Sequence, residues 1–179
     1  SNHITKKVAD KLEELFKKDR PLYEEKWDSL KLFVEYGMLS EERFSDTGLK
    51  FSLLKNVDEK LFTLDEYKTL VESSQKNKND EIICLYSDDV EKQYAPIDAA
   101  KEKGYDVLLM DGQLDVHWMG LLEQKLEKTR FVRVDSDTME HIIEKEDVPE
   151  VALSDEQKET ISEAIKTLLP AIEKTEFAV

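Results

Sequence analysis

The chain of 179 residues contains a single cysteine, Cys84, so no disulfide can form within it. Its fold must be held by packing, as is usual where thiols stay reduced. No run comes near the roughly 20 apolar residues that a membrane-spanning helix needs. Glycine is scarce and scattered, five residues in all, with neither G-x-G-x-x-G nor G-x-x-x-x-G-K-[ST] spacing. No phosphate-cradling loop is therefore encoded. The three histidines, His3, His117 and His141, are too far apart in sequence to form a zinc pattern. No G-x-S-x-G nucleophile elbow is present either. Basic residues are outnumbered 26 to 41, which leaves a net charge of −15. Such a surface repels nucleic-acid backbones and anionic bilayers, so neither is expected as a partner.

What is present suits a folded domain with a heavily solvated surface. Hydrophobic residues make up 40% of the chain and charged residues 37%. The first part reads as helices. Ile4, Val8, Leu12, Leu15 and Phe16 form one amphipathic stripe. Asp19–Pro21 interrupts it, because the residue before a proline avoids helical dihedrals. Tyr23, Trp27, Leu30 and Val34 form a second stripe, and Gly37 stands where a left-handed cap belongs. Ser40 is placed to cap a third helix containing Phe44, Phe51 and Leu54. Thr63-Leu64-Asp65-Glu66 is a capping box, flanked by Phe62 and Tyr67 at the hydrophobic-staple positions. The polar run 73–80 then reads as a linker or turn.

After this linker the periodicity changes. Residues 81–87 form an apolar strand pattern. Residues 88–103 read as helical overall, with Pro96 either breaking the helix or opening a second one. Asp106–Met110 is a short apolar run ending at Asp111-Gly112, as expected of a strand covered on both faces. Leu114, Trp118, Leu121, Leu122 and Leu126 share one helical face. Phe131–Val134 begins a third strand. Strands alternating with helices imply a parallel sheet. The predicted class is α/β: a helical segment, then a small three-strand parallel α/β/α module, then a C-terminal helix. The corresponding spans are 1–76, 80–136 and 137–179. In the last, Ser154 to Gln157 is a second capping box, opening a helix through Ile161, Ile165 and Leu168.

Two readings of the chemistry follow from the residues alone. In open α/β sheets, ligands sit beyond the carboxyl ends of the strands. Those ends carry Asp88, Asp89, Asp111, Asp135 and Asp137. Together they suggest an Mg²⁺-dependent phosphotransfer or receiver-like domain. The bland alternative is that these aspartates cap helices and turns. His117, Trp118 and Met119 suggest a binding surface instead, since Met and Trp offer large, adaptable apolar contact. Trp118 also lies at the centre of the leucine stripe and fits a core role equally well. Cys84, inside the run Ile82–Tyr86, reads as a buried, inert thiol.

Several stretches together resemble one family. KKVADKLEELFKKD, KLFVEYGMLSEERF, FSLLKN, FTLDEYKTLV, YDVLLMDGQLD and FVRVDSD are similar, in the same order, to the ninety-kilodalton heat-shock chaperones, and to their bacterial members in particular. The likeness runs from about residue 4 to residue 179 and fades over 137–151. It implies a piece of an ATP-dependent chaperone, from the end of the middle domain to the start of the C-terminal domain. It further implies non-native client proteins as partners, held partly by His117, Trp118, Met119 and Leu121, with Met119 the better candidate for exposure. The chain's own N-terminal and C-terminal domains would be its other partners, in a cytoplasmic homodimer. ATP and Mg²⁺ would belong to the parent protein, with no cofactor, metal or catalytic residue in this stretch.

Overall fold

A computed structural model describes residues 2–136. The predicted span 137–179, with its helix at 154–168, lies outside the described residues. Three helices open the chain: α1 (Asn2–Lys18), α2 (Arg20–Ser40) and α3 (Glu42–Gly48). A short hairpin follows, made of β1 (Leu53–Lys55) and β2 (Leu61–Thr63), and leads into α4 (Leu64–Val71). The α/β module then runs β3 (Ile82–Ser87), α5 (Tyr94–Glu102), β4 (Val107–Leu109), α6 (Asp115–Lys125) and β5 (Thr129–Arg133).

Local signals explain most of the boundaries. Asp19 is the N-cap of α2, and its carboxylate accepts from the Leu22 N–H at 3.2 Å. Pro21 sits in the first turn, where its missing N–H costs nothing, so it opens α2 rather than breaking it. The Thr63–Glu66 capping box forms in both directions, at 3.1 and 2.9 Å. The staple rings of Phe62 and Tyr67 lie 5.6 Å apart. Pro96 is the third residue of α5, again within a first turn. Gly104 follows α5 with φ +83°, a conformation that favours glycine.

Three expectations are corrected. Gly37 does not end α2, which continues to Ser40. A Cβ at position 37 would come within 2.9 Å of the Phe44 ring, so the glycine serves helix-to-helix approach instead. Ser40 does not cap α3, whose N-cap is Glu41 with no side-chain bond. Phe51 and Leu54 are not helical: Leu54 pairs with Phe62 in the antiparallel hairpin.

The sheet of the module has strand order β4-β3-β5, all parallel. Both faces of β3 are covered. Ile82 and Cys84 belong to a large core shared with α1, α2, α3, α4 and α6. Ile83 and Leu85 point into a second, smaller core with Ile97, Ala100, Val107 and Val132. This two-sided burial is why β3 reads as an unbroken apolar run. The hairpin is fastened to the outer edge of β4: Asn56 bridges Leu108, and the Val57 N–H donates to the Val107 carbonyl at 2.9 Å. The polar run before β3 is not a loose linker. Gln75 is fully buried, donates to the Ile83 carbonyl at 2.8 Å and accepts from the Asp106 N–H at 2.8 Å.

The Thr63 cap is exposed to test. Thr63→Ala should lower the unfolding free energy by about 1 kcal/mol, as lost N-caps generally do, with Thr63→Ser close to neutral. Urea denaturation of the three proteins measures this, and equal midpoints would contradict the capping account.

Candidate functional site

The site of interest is built where α6 meets α2. Asp115, in the first turn of α6, is fully buried. Its Oδ2 accepts from the Gly112 N–H at 2.7 Å and from the Lys31 ammonium of α2 at 2.9 Å. Gly112 leaves room for it, since a Cβ would lie 3.0 Å from that same oxygen and push the carboxylate aside. Glu35, one turn beyond Lys31, is also buried. Glu35 Oε1 and Asp115 Oδ1 each lack a donor from the rest of the protein. One proton held between the two carboxyls satisfies both. Burial, then the hydrogen bond and charge of Asp115, push the Glu35 carboxyl up to about 9. Burial alone would also raise Asp115, but hydrogen bonds from Glu35 and Lys31 outweigh it and hold that carboxyl below its ordinary value. Glu35 therefore carries the proton at neutral pH, and Asp115 carries the charge that Lys31 balances.

This anchoring decides which side chains of α6 face outward. Trp118 is fully buried, and its indole N–H donates to Met38 Sδ at 3.4 Å. Met119 is only 3% exposed, which corrects the expectation that it faces solvent. It does lie on a different side of the helix from Trp118. That side packs inward too, in the same buried cluster as Cys84 and Leu108. Leu121 is half-buried against this cluster. His117 is exposed, and its neighbour Val116 is 66% exposed. Of the four residues expected to form a contact surface, the structure thus presents His117 and part of Leu121. Val116 was missed because a lone valine between Asp115 and His117 carries no periodic signal of exposure.

The carboxylates at the strand ends do converge. Asp88, Asp89, Asp111 and Asp135 line one recess, together with Gln93 and Arg133. Most of them are already engaged. Gln93 donates to Asp88 at 2.8 Å and accepts from the Ser87 hydroxyl at 2.6 Å. Arg133 pairs with Asp135 at 2.5 Å and with Asp88 at 3.6 Å. Among the described residues no group of three or more His, Cys, Asp or Glu is placed to hold a metal ion. Asp137 lies outside the described residues. Burial pushes the Cys84 thiol up to about 12, so it is not a nucleophile at neutral pH. Among the described residues, no helix is long and apolar enough to cross a membrane.

The architecture has a solved counterpart. The middle domain of a heat-shock protein of Plasmodium falciparum superimposes with a TM-score of 0.58 at 14% identity, over 75% of this chain and 56% of that one. At that identity the likeness shows the fold alone, a heat-shock middle-domain α/β fold. Sequence relatives narrow it further. The chaperone protein HtpG of Porphyromonas gingivalis strain ATCC 33277 is 55% identical over 179 residues, all of this chain and 26% of that protein. The HtpG of Bacteroides fragilis strain YCH46 is 50% identical over the same span and share. No protein-family model matches the chain. By sequence over its whole length, the chain belongs with the HtpG chaperones, and it spans about a quarter of the length of these curated relatives.

Two measurements check this site. Both tryptophans of the chain, Trp27 and Trp118, are at most 1% exposed. Their emission should be blue-shifted and poorly quenched by acrylamide; a red-shifted, readily quenched component would contradict the packing of α6. The shared proton has a signed consequence. A carboxyl whose folded pKa is raised contributes stability that is complete below its ordinary value of 4.5 and is lost as pH rises toward about 9. Glu35→Gln keeps a donor for Asp115 and removes this titration. Urea melts across that window should show a flatter stability profile for the variant, whereas parallel profiles would rule the shared proton out.

Proposed function

We propose that this chain serves as the adhesive and coupling stretch of an ATP-driven chaperone of the HtpG type. In this reading it does no covalent chemistry. It stands between an ATP-binding half and a dimerising half of a longer cytoplasmic protein, and it offers one surface to non-native client chains. The client contact is the outward side of the first turns of α6, with Val116 and His117 touching the client and Leu121 at its margin. Trp118 and Met119 act from beneath, holding the helix in place. ATP and Mg²⁺ would be bound outside this stretch.

The observation that carries the proposal is the 66% exposure of Val116 on a helix pinned from below by a part-buried ion pair. An apolar side chain on a rigid support loses little conformational freedom on binding. The metal-dependent phosphotransfer reading has no comparable support: Gln93 and Arg133 engage two of the four described carboxylates, Asp88 and Asp135, and no group of three or more ligands is placed for a metal among the described residues.

The test uses the full-length protein carrying this segment. Val116→Ser with His117→Ala should weaken suppression of the aggregation of a thermally unfolded client, read by light scattering. The basal ATPase rate and the melting temperature should not change. Undiminished suppression by the double variant would sink the proposal.

A further inference from the structure

We propose that the client surface continues from α6 onto α2, and that its preferred occupant is a polypeptide segment bearing apolar side chains beside a lysine or arginine. This rests on the reading of Val116 and His117 as a client contact. Four of the eight exposed large hydrophobic residues among those described lie on α2: Leu32, Phe33, Tyr36 and Leu39. Phe33 leans edge-on toward Phe44 at 6.4 Å. The other three stand at i, i+4 and i+7, the spacing of one helical stripe. Tyr36 is 64% exposed and Leu32 53%. The opposite side of the same helix is already committed to the core through Tyr23, Trp27, Val34 and Met38. From Leu32 to Leu39 the stripe runs about 10 Å, enough for a short apolar segment to lie along it.

From the stripe, a recess of about 360 Å³ reaches the turn that precedes α6. Leu32, Trp27 and Leu109 supply apolar lining there, and Asp111 and Gly112 form its far side. Asp111 and Gly112 also line the adjoining recess that holds Val116. The α2 stripe and the α6 contact thus share one turn as their border.

Charge selects the partner. The cations of the two recesses are mostly engaged. Lys31 holds Asp115 at 2.9 Å, Lys55 holds Asp28 at 2.7 Å, and Arg133 holds Asp135. Asp111 is exposed and makes no ion pair among the described residues. It sits between two apolar contacts as a seat for an incoming cation. The chain's net charge of −15 steers basic segments toward it and opposes pairing with a second copy.

The probes are two fluorescein-labelled peptides with leucines four residues apart, one flanked by lysines and one by glutamates, titrated by anisotropy onto the 179-residue chain. The lysine peptide should bind about tenfold tighter than the glutamate peptide. Leu32→Ser, Tyr36→Ser and Leu39→Ser together should weaken it by about tenfold with little change in melting temperature, since all three side chains are exposed. Asp111→Asn should weaken the lysine peptide about threefold, the scale of an exposed ion pair, and leave the glutamate peptide alone. Equal binding of the two peptides overturns the proposed chemistry. Unchanged binding by the α2 variant, with loss in the Val116–His117 variant, overturns the extension while the α6 reading stands. Loss in neither variant overturns both. A dimer in sedimentation that the α2 variant abolishes, or resistance of Tyr36 to nitration in the free chain, would assign the stripe to a second copy or to residues 137–179, and overturns the proposal as well.

Discussion

Two carboxyl groups buried against each other determine how α6 stands on α2. Burial and the nearby charge of Asp115 favour the protonated form of Glu35, so the pair shares one proton. The single remaining charge is met by Lys31 and by the Gly112 N–H. Such an arrangement gives direction more than net stability, because burying ions costs about as much as their attraction returns. Its value lies in register. With Asp115 fixed, Trp118 and Met119 turn inward and Val116 and His117 turn outward. A rotation of α6 by one residue would bury His117 in one sense and expose the indole of Trp118 in the other.

The same interface joins the two halves of the described chain. The α/β module closes a small core of its own on one face of its sheet, but its other face shares a core with the helical part. One cluster runs from Ala9 and Leu12 through Trp27 and Phe51 to Leu108 and Leu122. Motion of the module against the helices would have to open this cluster. The pair Glu35–Asp115 marks one end of the seam, and the buried Gln75, bonded to β3 and to Asp106, marks another.

Much of this was legible from the residues in order. Alternation of strands and helices after residue 80 announced the parallel module, and the Thr63–Glu66 box announced α4. These signals are local, so sequence carries them. What escaped was non-local. Nothing near Gly37 says that the Phe44 ring will lie against it. Leu53 to Lys55 is too short to show a period, so the hairpin looked like the tail of a helix. Met119 looked exposed because a single helical stripe was assumed, whereas α6 is covered on two sides. The Glu35–Asp115 contact joins positions far apart in the chain, and no spacing rule brings them together. For the same reason the strand-end aspartates looked available: the Gln93 and Arg133 that engage them are visible only once the chain is folded.

The fastening of the hairpin to β4 has a consequence for self-association. A three-strand sheet has two open rims, and each can template the addition of a foreign strand. Asn56 and Val57 close the β4 rim with backbone bonds of their own. At the other rim, Lys128, Arg130 and Arg133 stud β5 and its approach with positive charge. Among the described residues, one rim of the sheet is thus paired and the other is studded with charge, and both features oppose the addition of a foreign strand.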